Sequence, residues 1–102
     1  MPRASHATTA KGARLARKAW QLLHLDSTRA ITLAREALEI ATRSVDLPGQ
    51  AWARLAIGYH LLYFGTPAEA APELTAAQQQ FESLGERAGR ILAGTGLARQ
   101  NS

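Results

Sequence analysis

Residues 65–69 read Gly65-Thr66-Pro67-Ala68-Glu69. Thr66 is an N-cap residue, Pro67 at the first helical position loses only an amide that has no partner there, and Glu69 completes a capping box. Gly65 can end the preceding helix in a left-handed conformation. A connection this short forces the two helices antiparallel, so the stretch writes a tight helical hairpin. Similar punctuation recurs at Asp26-Ser27, at Asp46-Leu47-Pro48-Gly49 and at Gly85-Glu86. Asp26 or Ser27 and Asp46 are the corresponding caps, and Pro48 falls in a first turn, where proline is tolerated. Between the breaks the apolar residues keep helical spacing: Leu15, Ala19 and Leu22; Ala30, Leu33, Ala34, Ala37, Leu38 and Ala41; Leu55, Tyr59 and Leu62. The predicted architecture is all-α, with five antiparallel helices over residues 8–25, 27–44, 47–64, 67–84 and 86–100. Pro72 lies more than one turn past Thr66 and predicts a kink or an irregular turn.

Sliding the chain against itself by 40 residues aligns Ala13-Arg14-Leu15-Ala16 with Ala53-Arg54-Leu55-Ala56, Leu22 with Leu62, Ala30 with Ala70 and Ala37 with Ala77. The helix breaks coincide in the same register: Asp26 falls on Thr66, Ser27 on Pro67 and Asp46 on Glu86. Agreement of identities and breaks together marks an internal repeat.

Composition bounds the function. A chain of 102 residues fits one domain, and with 46% hydrophobic and 20% charged residues its usage is that of an ordinary globular protein. Cysteine is absent, which removes disulfides, thiol nucleophiles and thiolate zinc sites. The longest apolar stretch, Ala56 to Gly65, is about half of what a membrane-spanning helix needs. The net charge of +4 is concentrated at the start, where Arg3, Lys11, Arg14, Arg17 and Lys18 occur without an acid. That run has the composition of a transit peptide, yet Ala13–Ala16 belong to the repeat, so cleavage there would remove a structural helix. Residues 1–7 are expected to be a flexible basic N-terminus of a single domain spanning 1–102.

The 40-residue unit resembles the tetratricopeptide repeat in a long variant. Ile57-Gly58-Tyr59-His60-Leu61 is similar to the first-helix signature, Gly65 to the turn glycine, and Ala70, Leu74 and Ala77 to the second-helix signature, which Ala30, Ala34 and Ala37 repeat. Arg54 stands where the family prefers Trp, and Lys18 where Gly58 would predict Gly. The resemblance implies a right-handed superhelix of helical hairpins, about two and a half repeats, that binds a protein or peptide in a concave groove. Its groove positions are Leu15, Ala19, Leu22, Trp52, Leu55, Tyr59, Leu62, Tyr63, Thr95 and Arg99. The family's carboxylate clamp needs Asn and Lys there; Leu15, Ala19, Leu55 and Tyr59 argue against a terminal-carboxylate ligand. Residues 51–65 with Phe81-Glu82-Ser83-Leu84-Gly85 are similar to the repeat regions that precede diguanylate cyclase domains. The resemblance thus implies a cytoplasmic input module of a bacterial signalling protein, and a fragment or N-terminal domain of a longer chain. No cyclase signature occurs in these residues.

Two further readings concern partners. Trp20 matches His60 in the repeat register, a position expected to pack on a preceding hairpin that the first unit lacks. Residues 3–9 folding back would cover it, or it would serve as the anchor of a homodimer. At the other end, helix 86–100 has no partner after it. Gly94 and Gly96 weaken it, and Ile91, Leu92 and Leu97 need a cover. Arg14, Arg17 and Lys18 on one helix suggest phosphate contacts, the nucleic-acid alternative of a transcriptional regulator, although no recognition-helix pattern or aromatic interleaving accompanies them. Catalysis has no candidates. His6, His24 and His60 are not spaced as a metal pair, Glu36 and Glu39 read as a salt-bridged surface, and Gly94-Thr95-Gly96 lacks the context of a phosphate loop. No cofactor or metal ligand set is expected.

Overall fold

A computed structural model of the chain describes residues 2–100, and the side chains of residues 11–99. It is all-helical: α1 Pro2–Leu22, α2 Ser27–Arg43, α3 Leu47–Phe64, α4 Pro67–Leu84 and α5 Arg87–Gln100, with no strand among the described residues. Helices α3 and α4 have the ends expected from sequence, and α2 and α5 lie within one residue of them. The exception is α1, which stops three residues early because the chain turns on the Leu22 carbonyl, bonded by the amides of Leu25 at 2.9 Å and Asp26 at 2.8 Å. It also begins at Pro2, ahead of the expected start. The expected flexibility of residues 1–7 concerns side chains outside the described residues.

The caps form as the sequence writes them. Carboxylate oxygens of Asp26 and Asp46 accept the amides of Arg29 and Gly49 at 3.1 and 2.9 Å, and Thr66 Oγ1 accepts the amide of Glu69 at 3.2 Å. The capping box is only half made. The Glu69 carboxylate accepts the Thr66 hydroxyl at 2.9 Å instead of reaching back to a backbone amide. Gly65 is not left-handed, with φ −111°; a Cβ there would crowd Leu61, its Cδ2 at 2.9 Å and its carbonyl oxygen at 3.0 Å. The left-handed position is Gly85, φ 70°. Exposed Val45 adopts φ 54°, a strained conformation for a β-branched side chain. Pro72 does not interrupt α4. Both it and Ala68, whose carbonyl loses its partner, face solvent, where water can compensate.

Helix α3 packs against all four other helices, whereas α2 and α4 do not approach one another closely. The odd-numbered helices therefore form one layer, with α1 and α5 flanking α3, and α2 and α4 lie behind it. This explains the different faces of the helices. Helix α2 buries one alanine stripe, Ala30, Ala34, Ala37 and Ala41, while α3 is buried around its circumference from Ala53 to Tyr59 apart from Arg54.

The two hairpins solve the packing problem differently at equivalent repeat positions. In the first, Gly12 lies against Ala41, where a Cβ would sit 3.2 Å from the Ala41 backbone. In the second, Trp52 meets Phe81 edge-on, with ring centroids 5.1 Å apart. Small side chains meet at this position between α1 and α2, and aromatic side chains at the equivalent position between α3 and α4. The large fully buried apolar side chains are Leu23, Leu55, Leu74 and Phe81, each stabilising the fold by about 1.5–3 kcal/mol. Helix α5 docks through Gly89, Ala93 and Gly96: a Cβ on Gly96 would touch Tyr59 and Leu74 at 3.1 Å, and one on Gly89 would enter the Phe81 ring. Gly96, expected only to weaken the helix, is thus a close-packing residue. The Cα radius of gyration, 12.9 Å, matches the value of about 13 Å for one compact domain of this length.

Candidate protein-interaction surface

The expected groove residues divide by burial. Ala19, Leu55 and Tyr59 are at most 4% exposed and belong to the core, so they have no surface to offer a ligand. The helical stripe that selected them is the stripe that packs the layers together. Leu15, Leu22, Trp52 and Leu62 are half-buried and lean on that core. Tyr63, Thr95 and Arg99 are exposed.

Trp20 is half-buried between α1 and α3, its ring edge-on to Tyr59 with centroids 5.0 Å apart. The anticipated cover by residues 3–9 involves side chains outside the described residues. Leu92 and Leu97, expected to need a lid, pack inward on the core, and of the three only Ile91 turns outward, 53% exposed.

Around Tyr63 the chain assembles a surface that sequence reading only partly found. The end of α3 carries Tyr63 and Phe64, 41% and 62% exposed, and the turn after α1 adds His24 and Leu25, the latter 83% exposed. These side chains, with Leu23 and Ser27, line a recess of about 510 Å³. His24 and Tyr63 rings lie 5.6 Å apart, and His60 and Phe64 rings 5.2 Å apart. On the α5 side the Arg99 guanidinium donates to Tyr63 Oη at 2.7 Å. The Tyr59 hydroxyl, behind, donates to the Leu92 carbonyl at 2.7 Å and ties α5 to α3. Adjacent aromatic residues at a helix end point about 100° apart, so one of Tyr63 and Phe64 had to leave the core. That was the available signal, and it was missed for Phe64 and Leu25.

The electrostatics follow from burial. Tyr59 has its pKa raised, first by burial, against the lowering effect of Arg99 and with a smaller upward push from Tyr63. His60 has its pKa lowered, first by burial and then by the Arg35 guanidinium, and its Nδ1 is buried without a hydrogen-bond partner.

A second depression, about 470 Å³, lies between α3 and α4 and is lined by Leu47, Arg54, Gln80, Ser83 and Leu84 among others. Arg54 is already paired with Glu73 at 3.3 Å, and Gln80 donates to Gln50 at 3.1 Å. Gln80 Oε1, by contrast, is buried without a hydrogen-bond partner. No group of three or more His, Cys, Asp or Glu that could hold a metal occurs among the described residues. Comparison with protein-family models, curated proteins and solved structures gives no match to this chain.

Proposed function

We propose that the chain is a protein-interaction module of tetratricopeptide-like hairpins, which captures a protein segment on the face of α1, α3 and α5. The observation that carries this is the contiguous exposure of Leu25, Tyr63 and Phe64 around one recess, with Arg99 fixed on the Tyr63 hydroxyl. Aromatic and arginine side chains of this kind dominate binding energy at protein interfaces. In support of the repeat reading, α1 and α5 each pack against α3 while α2 and α4 stay apart, an arrangement that stacked helical hairpins can take. On this reading the module is a cytoplasmic regulatory input region of a bacterial signalling protein, as in the regions before diguanylate cyclase domains. No helix among the described residues is long and apolar enough to cross a membrane.

A second reading draws on Lys11, Arg14 and Lys18, which are all exposed on α1 and would serve a nucleic-acid-binding regulator. Panning a random-peptide display library on the full chain tests the first reading. Enrichment by the wild type, abolished in a Tyr63→Ala/Phe64→Ala variant with unchanged helical circular dichroism, is expected. No enrichment refutes it.

A further inference from the structure

The charges of this molecule are sorted by layer. Helices α1, α3 and α5 carry nine of the 12 Lys and Arg and none of the 8 acids, which all lie on α2, α4 or the turns. Both ion pairs of the described residues, Arg43 with Glu39 and Arg54 with Glu73, use acids of the α2–α4 layer. The cations of α1 and α5 have no carboxylate partner among the described residues. We infer that the α1–α3–α5 face binds an acidic protein segment, with Asp or Glu flanking an apolar side chain that enters the Tyr63–Phe64 recess. This rests on the interaction reading above.

Two of the cations are held in place. The Arg17 guanidinium lies 5.8 Å from the Trp52 ring centre, and Arg99 is bonded to Tyr63. Pre-positioned guanidinium groups lose little further freedom when a carboxylate arrives, and they can take it bidentately. Trp52 and Tyr63, eleven residues apart, share one side of α3, so both guanidinium groups stand on that side, and the opposing charge would be supplied from outside. Nucleic acid fits less well. Rings here pack edge-on, Trp20 on Tyr59 and Phe81 on Trp52, and Arg17 covers Trp52, so they form no parallel platform for bases.

The test continues the selection from a random-peptide library on the full chain and reads the composition of the enriched peptides. An excess of Asp and Glu over the starting library is expected. An enriched peptide, labelled and titrated, should bind an Arg17→Gln/Arg99→Gln variant about tenfold more weakly, whereas Arg43→Gln on the opposite layer leaves its affinity unchanged. Enriched peptides without acidic excess, still lost with Tyr63→Ala/Phe64→Ala, would overturn this inference and leave the interaction reading standing. No enrichment would remove both. A preference at physiological salt for a duplex DNA fragment or for phosphatidylserine vesicles over the peptides would also overturn it.

Discussion

Helix α5 carries two glycines whose replacement by alanine should act in opposite directions. At Gly89 a Cβ would lie 2.5 Å from Phe81 Cζ and closer still to Cδ1 and Cε1. Phe81 is fully buried and backed by Trp52, so its ring cannot retreat. Overpacking of this kind costs about 1–3 kcal/mol. At Gly94 the new Cβ would meet only the Gln78 amide nitrogen, 3.2 Å away at the end of a flexible side chain. Both variants gain helix propensity, up to about 1 kcal/mol for an interior position, and somewhat less for Gly89 in the first turn. Comparison of the two therefore isolates the steric term. With about 4–8 °C of melting temperature per kcal/mol in a domain of this size, Gly89→Ala should melt on the order of ten degrees below Gly94→Ala. Thermal and urea unfolding followed by circular dichroism measure this, provided both transitions are two-state. Equal midpoints would refute the reasoning, since they would mean that α5 does not dock on Phe81 through Gly89. The consequence for function is direct, because a displaced α5 takes Arg99 away from Tyr63.

Trp20→Ala should cost about 3–5 kcal/mol, the usual range for removing a packed tryptophan, and leave the mass in light scattering unchanged; a change of mass without loss of stability would restore Trp20 as a dimer anchor. His60 binds its proton less readily in the folded protein than at its ordinary pKa of 6.5. It therefore contributes stability above pH 6.5 that is lost as pH falls through its lower folded pKa. The variant His60→Gln should flatten the pH dependence of the urea midpoint in that window, and an unaltered slope would contradict the assignment. Val45→Gly should raise stability by about 1 kcal/mol through relief of the left-handed strain, read as an upward shift in the urea midpoint.

Much of the fold was legible because helix ends are local chemistry. Asp46 and Thr66 cap helices with their own side chains three residues away, and no distant partner is needed. The errors fall where context outweighs local preference. Pro72 predicted a break, but a lone lost hydrogen bond on an exposed surface is a small cost against the packing of Ala70, Leu74 and Ala77 on either side. Gly96 was read through propensity, whereas it lies against Tyr59 and Leu74, neighbours distant in sequence. Of the candidate site, Tyr63, Thr95 and Arg99 were found at the surface, and Ala19, Leu55 and Tyr59 were mistaken for it. Helical spacing identifies a face and does not say whether solvent or another helix covers that face.

The amino-acid order by itself determined, within a residue, where α2 to α5 start and stop, and which stripes are small and apolar. Only the tertiary structure decided that α3 is enclosed by four neighbours, which removes Tyr59 from the surface and pushes Tyr63 and Phe64 onto it. The same packing brings cations from two separated segments, Arg17 of α1 and Arg99 of α5, onto one side of α3. Charge order along the chain shows a basic beginning, while the sign of a face depends on which helices lie next to one another, and that is settled by packing between residues tens of positions apart.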